Sequence, residues 1–79
     1  MQADEAFGQT LRELRQKKGW SQETLAFEAG VDRNYISLIE LGRNSPSLKM
    51  IFKLCRALGV SVRDCMSKVE ALDVELPPD

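Results

Sequence analysis

Gly30 and Val31 are the only residues between two short segments that each carry helix signals, and this brief link constrains the fold more than any other feature. Ser21 and Asp32 precede the two segments, and both residue types are favoured helix N-caps. Gly30 can adopt the left-handed backbone conformation that ends a helix. Because so short a link leaves no room for an antiparallel return, the two helices are predicted to cross steeply in a helix-turn-helix corner.

The same start and stop signals recur along the chain. Ser47 and Ser61 each precede a later apolar run, and Gly19 and Gly59 each follow one. Apolar residues recur at helical spacing within the runs, and the alternation typical of strands is missing. The prediction is an all-α, compact five-helix domain. The predicted helices run from about Asp4 to Lys18, from Ser21 to Ala29, from Asp32 to about Leu41, from Ser47 to Gly59 and from Ser61 through Val69.

The length of the chain excludes several classes of protein. A chain of 79 residues forms one small core, which leaves no room for a large catalytic cleft or a sensor domain, so neither enzyme activity nor a small-molecule ligand is expected. No apolar run approaches the roughly 20 residues that span a bilayer, so no membrane partner is expected. The N-terminal sequence MQADEAFGQT lacks a secretory pattern, and the protein is therefore predicted to be cytoplasmic.

Cys55 and Cys65 lie ten positions apart in a sequence that contains no histidine. Two soft ligands are too few for a closed zinc site, so no metal or other cofactor is predicted. Both cysteines fall on apolar helical stripes and are expected to be reduced, buried and inert as small hydrophobic residues. The predicted stripe of the fourth helix consists of Leu48, Ile51, Leu54, Cys55 and Leu58.

Charge is distributed unevenly along the chain. Residues 1–68 contain all 11 Lys and Arg with eight acids, a net charge of +3, whereas residues 69–79 contain four acids and no base, a net charge of −4. This division predicts a helix-turn-helix domain over residues 1–68 and an acidic C-terminal arm over residues 69–79. A mildly basic domain permits DNA binding, with modest non-specific affinity.

The predicted third helix has an apolar side and a polar side. At about 100° per residue, Ile36 and Ile39 face inward, whereas Arg33 and Asn34 begin the outward side. Arg can donate two hydrogen bonds to guanine, and Asn can bond bidentately to adenine. A solvated polar face explains the same residues equally well. The short turn before the helix and the loop Gly42-Arg43-Asn44 after it favour contact with DNA.

Two stretches of the chain, LRELRQKKGWSQETLAFEAGVDRNYISLIELGRNSPS and LCRALGVSV, follow a known pattern. Residues 5–66, which contain them, resemble the Cro and phage-repressor family of helix-turn-helix proteins, also called Xre-like. Within them, RNYIS and LAFEAG are similar to the small controller proteins of restriction-modification systems. The resemblance implies a lambda-repressor-like fold and a sequence-specific transcriptional regulator that binds double-stranded DNA.

The resemblance also implies roles for individual residues. Gln22, at the start of the second helix, would contact a phosphate and help close the corner, and Arg43 would lie on the DNA backbone. Arg15 and Glu40 match the interhelical ion pair of the family. The residues implied to meet base edges are Arg33, Asn34 and Ser37.

Some outward residues depart from the family pattern. Leu38 and Leu41 stand where family members commonly place polar or basic side chains. Leu38 either meets a thymine methyl group, packs against a loop or faces a protein partner. Tyr35 either fills the edge of the core or reaches a phosphate with its hydroxyl group, and Asn44 lies beside Arg43 in the loop predicted to contact phosphate.

Met66, Val69 and Leu72 continue an apolar strip beyond what four helices can cover, which predicts an interface with a second copy of the chain. The first functional hypothesis is therefore a regulator that binds a palindromic operator as a homodimer, with the third helix in the major groove. The alternative is a protein-binding adaptor or antitoxin on the same scaffold, with Leu38 and Leu41 facing a protein. Binding to DNA that weakens steeply with salt favours the first hypothesis.

Overall fold

The computed structural model describes residues 1–72 and 74–76 and contains five α-helices in that part of the chain. The prediction of an all-α, five-helix domain is confirmed, and every helix lies within one residue of its predicted bounds. None of these helices is long and apolar enough to cross a membrane. The helices are α1 (Ala3–Lys17), α2 (Gln22–Ala29), α3 (Arg33–Glu40), α4 (Leu48–Leu58) and α5 (Val62–Glu70).

Side-chain caps fix where four of the helices begin. An N-cap oxygen that accepts a free backbone N–H of the first turn stabilises a helix by about 1 kcal/mol. The start of α1 has a different arrangement, in which the Glu5 carboxylate accepts the backbone N–H of Gln2 at 3.2 Å. The four capping residues Ser21, Asp32, Ser47 and Ser61 accept the N–H groups of Thr24, Asn34, Met50 and Asp64 at 3.0, 2.7, 3.1 and 2.9 Å.

The helices share one core. α1 packs against α3 and α5, α2 packs against α3 and α4, and α4 packs against α5. Because the core draws on every helix, the two helices of the corner are held from behind by the other three. The largest side chains that are fully buried in it include Leu11, Leu25, Ile36, Ile39 and Leu54.

Gly8 brings α1 into close contact with the last turn of α3. A Cβ atom at this position would overlap the carbonyl oxygen of Ile39 and lie 2.8 Å from that of Glu40. Both obstacles are backbone atoms, which cannot swing aside as a flexible side chain does. The missing side chain at Gly8 therefore sets how closely the end of α3 approaches α1.

The apolar strip that was predicted to join two copies is largely covered within one copy. Val69 is only 4% exposed and belongs to the core, where α5 packs against α1. Its predicted place in a dimer interface is therefore wrong, because α1 already covers it. Met66 and Leu72 are half-buried against the same core and keep part of their surface free.

The C-terminal segment begins later than the charge pattern predicts, and Glu75 within it contacts the start of the chain. α5 continues to Glu70, so a boundary after residue 68 falls inside this helix. Beyond it, the backbone N–H of Glu75 donates to the carbonyl oxygen of Met1 at 2.8 Å, and Gln2 and Glu75 form an isolated parallel bridge. Residues 73 and 77–79 of the predicted arm lie outside the described residues.

Cys55 and Cys65 are free, buried thiols of the core, in agreement with the prediction from sequence. Burial raises the pKa of Cys65 to about 12 and also raises the pKa of Cys55.

The predicted stripe of α4 is wrong at its first residue, since Leu48 is 70% exposed. Leu48 and the 53% exposed Phe52 line an open apolar groove between α2 and α4.

Candidate nucleic-acid interface

The corner between α2 and α3 is built on a left-handed glycine. Gly30 has φ 70° and ψ 38°, a conformation that costs residues with a Cβ atom free energy. The backbone N–H of Val31 then donates to the carbonyl oxygen of Ala26 at 2.9 Å, which satisfies an open acceptor at the end of α2. Asp32 caps α3 immediately afterwards, so the direction of α3 is fixed within a few residues of the end of α2.

Behind the corner, Arg15 of α1 and Glu40 of α3 form a bidentate ion pair. Arg15 Nε donates to Glu40 Oε2 at 2.7 Å, and Arg15 Nη2 donates to Glu40 Oε1 at 2.9 Å. The third nitrogen of the guanidinium group, Arg15 Nη1, donates to the carbonyl oxygen of Trp20 at 2.7 Å. The two side chains are only 10% and 4% exposed, and the hydrogen bonds to Glu40 raise the pKa of Arg15. This is the ion pair that the family resemblance implied.

Gln22 links the first turn of α2 to the same carboxylate. Its Nε2 atom donates to Glu40 Oε1 at 3.0 Å, so one carboxylate joins α1, α2 and α3. This contact closes the corner in the way that the resemblance implied for Gln22. The phosphate contact implied for the same residue stays a prediction.

The outward side of α3 is polar at its start and apolar at its end. Arg33 and Asn34 are exposed, and Ser37 is half-buried on the next turn. Leu38 is 37% exposed and Leu41, the C-cap, is 60% exposed. The residues implied to meet base edges are thus brought together at the start of α3, beside the corner.

Arg33 has a partner that the sequence analysis missed. Its Nε atom lies 3.1 Å from Oε1 of Glu23 in the first turn of α2, and the side chains are 55% and 69% exposed. A steep crossing of α2 and α3 places the first turns of both helices near one another. The acid directly after Gln22 was therefore the sequence signal from which this pair could have been inferred.

The loop after α3 offers side chains to a ligand but little free backbone. The N–H groups of Arg43 and Asn44 both donate to the carbonyl oxygen of Leu38, at 2.9 and 3.3 Å, and the N–H of Gly42 donates to Ile39. These backbone N–H groups are therefore already engaged and do not face a phosphate. The Arg43 side chain is exposed, Asn44 is half-buried, and their phosphate contacts stay predictions.

Tyr35 is half-buried and packs against the edge of the core. This contact accounts for the ring and leaves the predicted role of the hydroxyl group open.

Within residues 1–72 and 74–76, no cluster of three or more His, Cys, Asp or Glu side chains is arranged to hold a metal ion. The exposed polar surface on the corner is the candidate site, and it offers the hydrogen-bonding side chains of Arg33 and Asn34.

Comparison with known proteins agrees with this geometry. Residues 11–65, which include α2, α3 and α4, match the family described as helix-turn-helix. This chain is an Xre-like helix-turn-helix protein. The matched residues contain the corner, the buried ion pair and the outward side of α3.

The relatives of this helix-turn-helix protein are regulators. It is 48% identical over 61 residues to the control protein C.BamHI of Bacillus amyloliquefaciens, covering 76% of this chain and 75% of that protein. The crystal structure of the restriction-modification controller protein C.AhdI from Aeromonas hydrophila is 50% identical, with a TM-score of 0.76 over 78% of this chain and 94% of that one. The clp gene regulator ClgR from Corynebacterium glutamicum is 34% identical, with a TM-score of 0.86 over 98% and 99%. The helix-turn-helix protein is accordingly a DNA-binding transcription regulator.

Proposed function

We propose that this regulator binds a palindromic operator as a homodimer, with α3 of each copy in the major groove of one half-site. The observation that carries the proposal is the exposed pair Arg33 and Asn34 at the start of a helix that a buried network holds rigidly. A recognition helix enters the groove with its N-terminal residues against the bases. Half-sites about 34–36 Å apart would match a two-fold axis between the copies.

The contacts divide into base readout and phosphate binding. Arg33, Asn34 and Ser37 supply the hydrogen bonds to bases, and Leu38 supplies apolar contact with a thymine methyl group. Few polar contacts follow later in α3, so DNA shape contributes to selectivity as well. The side chains assigned to phosphates are those of Gln22, Tyr35, Arg43 and Asn44.

The second copy joins through the free surface of Met66 and Leu72 at the end of α5. Both side chains are only half-covered by their own copy, and Val69 supports them from the core.

The names of the relatives suggest a more specific role, and we infer that the chain is a controller of a restriction-modification system. In this proposal the regulator acts in the cytoplasm, on the DNA there, and uses neither a cofactor nor a small-molecule ligand.

A selection from random double-stranded DNA tests this function. We expect the wild-type protein to enrich a palindrome, and Arg33→Ala to relax preference at one base pair of each half-site by about 1–3 kcal/mol. Arg43→Ala removes a phosphate contact and is expected to weaken binding to all sequences alike, lowering the salt slope by about one unit. Recovery of no palindrome, or equal effects of the two variants on sequence preference, would contradict the proposal.

Exposed leucines favour a second candidate, a protein-binding adaptor or antitoxin. Leu41 is 60% exposed at the end of α3, and Leu48 is 70% exposed at the mouth of the groove between α2 and α4. DNA affinity that falls steeply between 50 and 200 mM salt, as expected for about six or more phosphate contacts, supports the regulator. Weak, sequence-independent binding to DNA at low salt supports the adaptor instead.

A further inference from the structure

The salt bridge between Arg33 and Glu23 lies within the proposed DNA-binding surface. Glu23 Oε1 is 3.1 Å from Arg33 Nε, and both side chains are more than half exposed. The bridge joins the first turn of α2 to the first turn of α3 across the corner. An acid at this place is unexpected on a surface that binds a polyanion, because it repels the phosphates and lowers affinity.

The geometry of the bridge leaves the end of the guanidinium group free. Arginine has five N–H donors in a rigid planar fork, on Nε and on the two terminal nitrogens. The contact with Glu23 is made at Nε, and in the rigid planar fork the end-on edge, with one N–H of Nη1 and one of Nη2, is directed away from the Nε side. Those two N–H groups are a sufficient pair of donors for O6 and N7 of one guanine.

An unrestrained arginine at the edge of a DNA groove has two kinds of acceptor to choose from, the base edges and the neighbouring phosphates. Contact with a phosphate adds affinity for every sequence and distinguishes none of them. A carboxylate beside the arginine disfavours approach to phosphate and also restricts the rotamers of the long side chain. Restricting one such side chain before binding is worth roughly a two- to tenfold gain in affinity for the contact that it favours.

We propose that Glu23 is a positioning residue for base readout, which holds Arg33 toward guanine and away from the phosphate backbone. The proposal rests on the proposed function, because it assumes that Arg33 contacts a base. Glu23 in this role lowers affinity for DNA in general and raises discrimination between sequences. These two effects have opposite directions, and loss of a merely structural contact would not produce both.

The test compares Glu23→Gln with wild type on two DNA duplexes, the selected operator and an operator with the Arg33 base pair exchanged. We expect Glu23→Gln to bind the exchanged duplex more tightly and to discriminate between the duplexes about two- to tenfold less well. The salt slope should steepen by about one unit as Arg33 gains a phosphate contact. Glu28→Gln removes the same charge from an exposed site on α2 and should leave discrimination unchanged.

A second background separates positioning from a direct effect of charge. In the Arg33→Ala protein, Glu23→Gln should no longer alter discrimination at the exchanged base pair. With Arg33 present, Glu23→Asp keeps the carboxylate and should discriminate between the duplexes better than Glu23→Gln does. Unchanged discrimination by Glu23→Gln, or an equal change in the presence and absence of Arg33, would overturn the proposal. If the wild-type protein selects no operator, the proposed function itself fails, so the two failures are distinguishable.

Discussion

The corner of this protein contains two arginine–glutamate pairs with the same chemistry and opposite surroundings. The side chains of Arg15 and Glu40 are 10% and 4% exposed, and two hydrogen bonds join them. Those of Arg33 and Glu23 are 55% and 69% exposed, and they meet at the Nε–Oε1 contact of 3.1 Å. Water and salt screen an exposed pair, which typically contributes about 0–1 kcal/mol to stability. Removing one partner of a buried pair leaves an unpaired buried charge and costs about 3–5 kcal/mol. Burial thus decides which pair fixes the fold and which lies where a ligand can reach it.

The two pairs also differ in the hydrogen bonds that join them to the rest of the protein. All three nitrogens of the Arg15 guanidinium group donate hydrogen bonds, two to Glu40 and one to Trp20, and Glu40 also accepts one from Gln22. Arg33 is bridged to Glu23 through Nε on the exposed surface. A fully bonded network is rigid, and it gives the exposed arginine of α3 a fixed support.

The largest expected effect comes from breaking the buried pair. Glu40→Ala removes the acceptor of three hydrogen bonds and leaves the Arg15 charge buried, so the free energy of unfolding should fall by about 3–5 kcal/mol. Urea unfolding measures this change. Glu40→Gln, which keeps the shape and one carbonyl acceptor, should lose less.

Glu23→Ala is the matched control for Glu40→Ala, because it removes the carboxylate of the exposed pair. Its unfolding free energy should change by less than about 1 kcal/mol. Similar losses for the two glutamate variants would mean that burial does not distinguish the pairs.

A smaller effect is expected when α1 and α3 are forced apart without altering either pair chemically. Gly8→Ala places a Cβ atom against the carbonyl oxygens of Ile39 and Glu40, and overpacking of this kind costs about 1–3 kcal/mol. Alanine favours a helix by about 1 kcal/mol over glycine, so the net loss is the difference between the two effects. Thermal unfolding against Gln16→Ala, an exposed change in the same helix, measures it. A Gly8→Ala protein about 1 kcal/mol more stable than wild type would show that the helices separate at no cost.

The smallest effect should come from the arginine of the exposed pair. Arg33→Ala is expected to change the free energy of unfolding by less than about 1 kcal/mol, with the difference shrinking further at high salt. Urea unfolding of both proteins at 50 mM and 500 mM sodium chloride tests this. A loss of several kcal/mol, or one that persists at high salt, would place Arg33 in the framework of the fold.

The fold could be predicted closely from the sequence because its signals are local. The capping serines, the apolar periodicity and the left-handed glycine at residue 30 each act within one turn of their own position. Those signals gave the five helices to within one residue. The coverage of Val69 could not be obtained in this way, since it depends on how α1 lies against α5. Leu48 fits the helical spacing of the α4 stripe, but it stands in the first turn, beyond the reach of the core.

The candidate site was predictable in its residues and less so in its contacts. The outward face of α3 follows from helical periodicity, and the Arg15–Glu40 pair follows from the family resemblance. The bridge from Glu23 to Arg33 joins two helices, so neither periodicity nor propensity reports it. The engaged N–H groups of Arg43 and Asn44 depend on the conformation of a loop, for which the sequence carries no comparable signal.

The two core cysteines have a practical consequence. A thiol reacts with alkylating reagents as the thiolate, and Cys65, with a pKa of about 12, is almost entirely protonated at neutral pH. Reagent therefore reaches Cys55 and Cys65 only in molecules whose core has opened. The rate of labelling consequently reports how often the core opens, and slower labelling upon addition of a candidate operator would register binding without any attached dye.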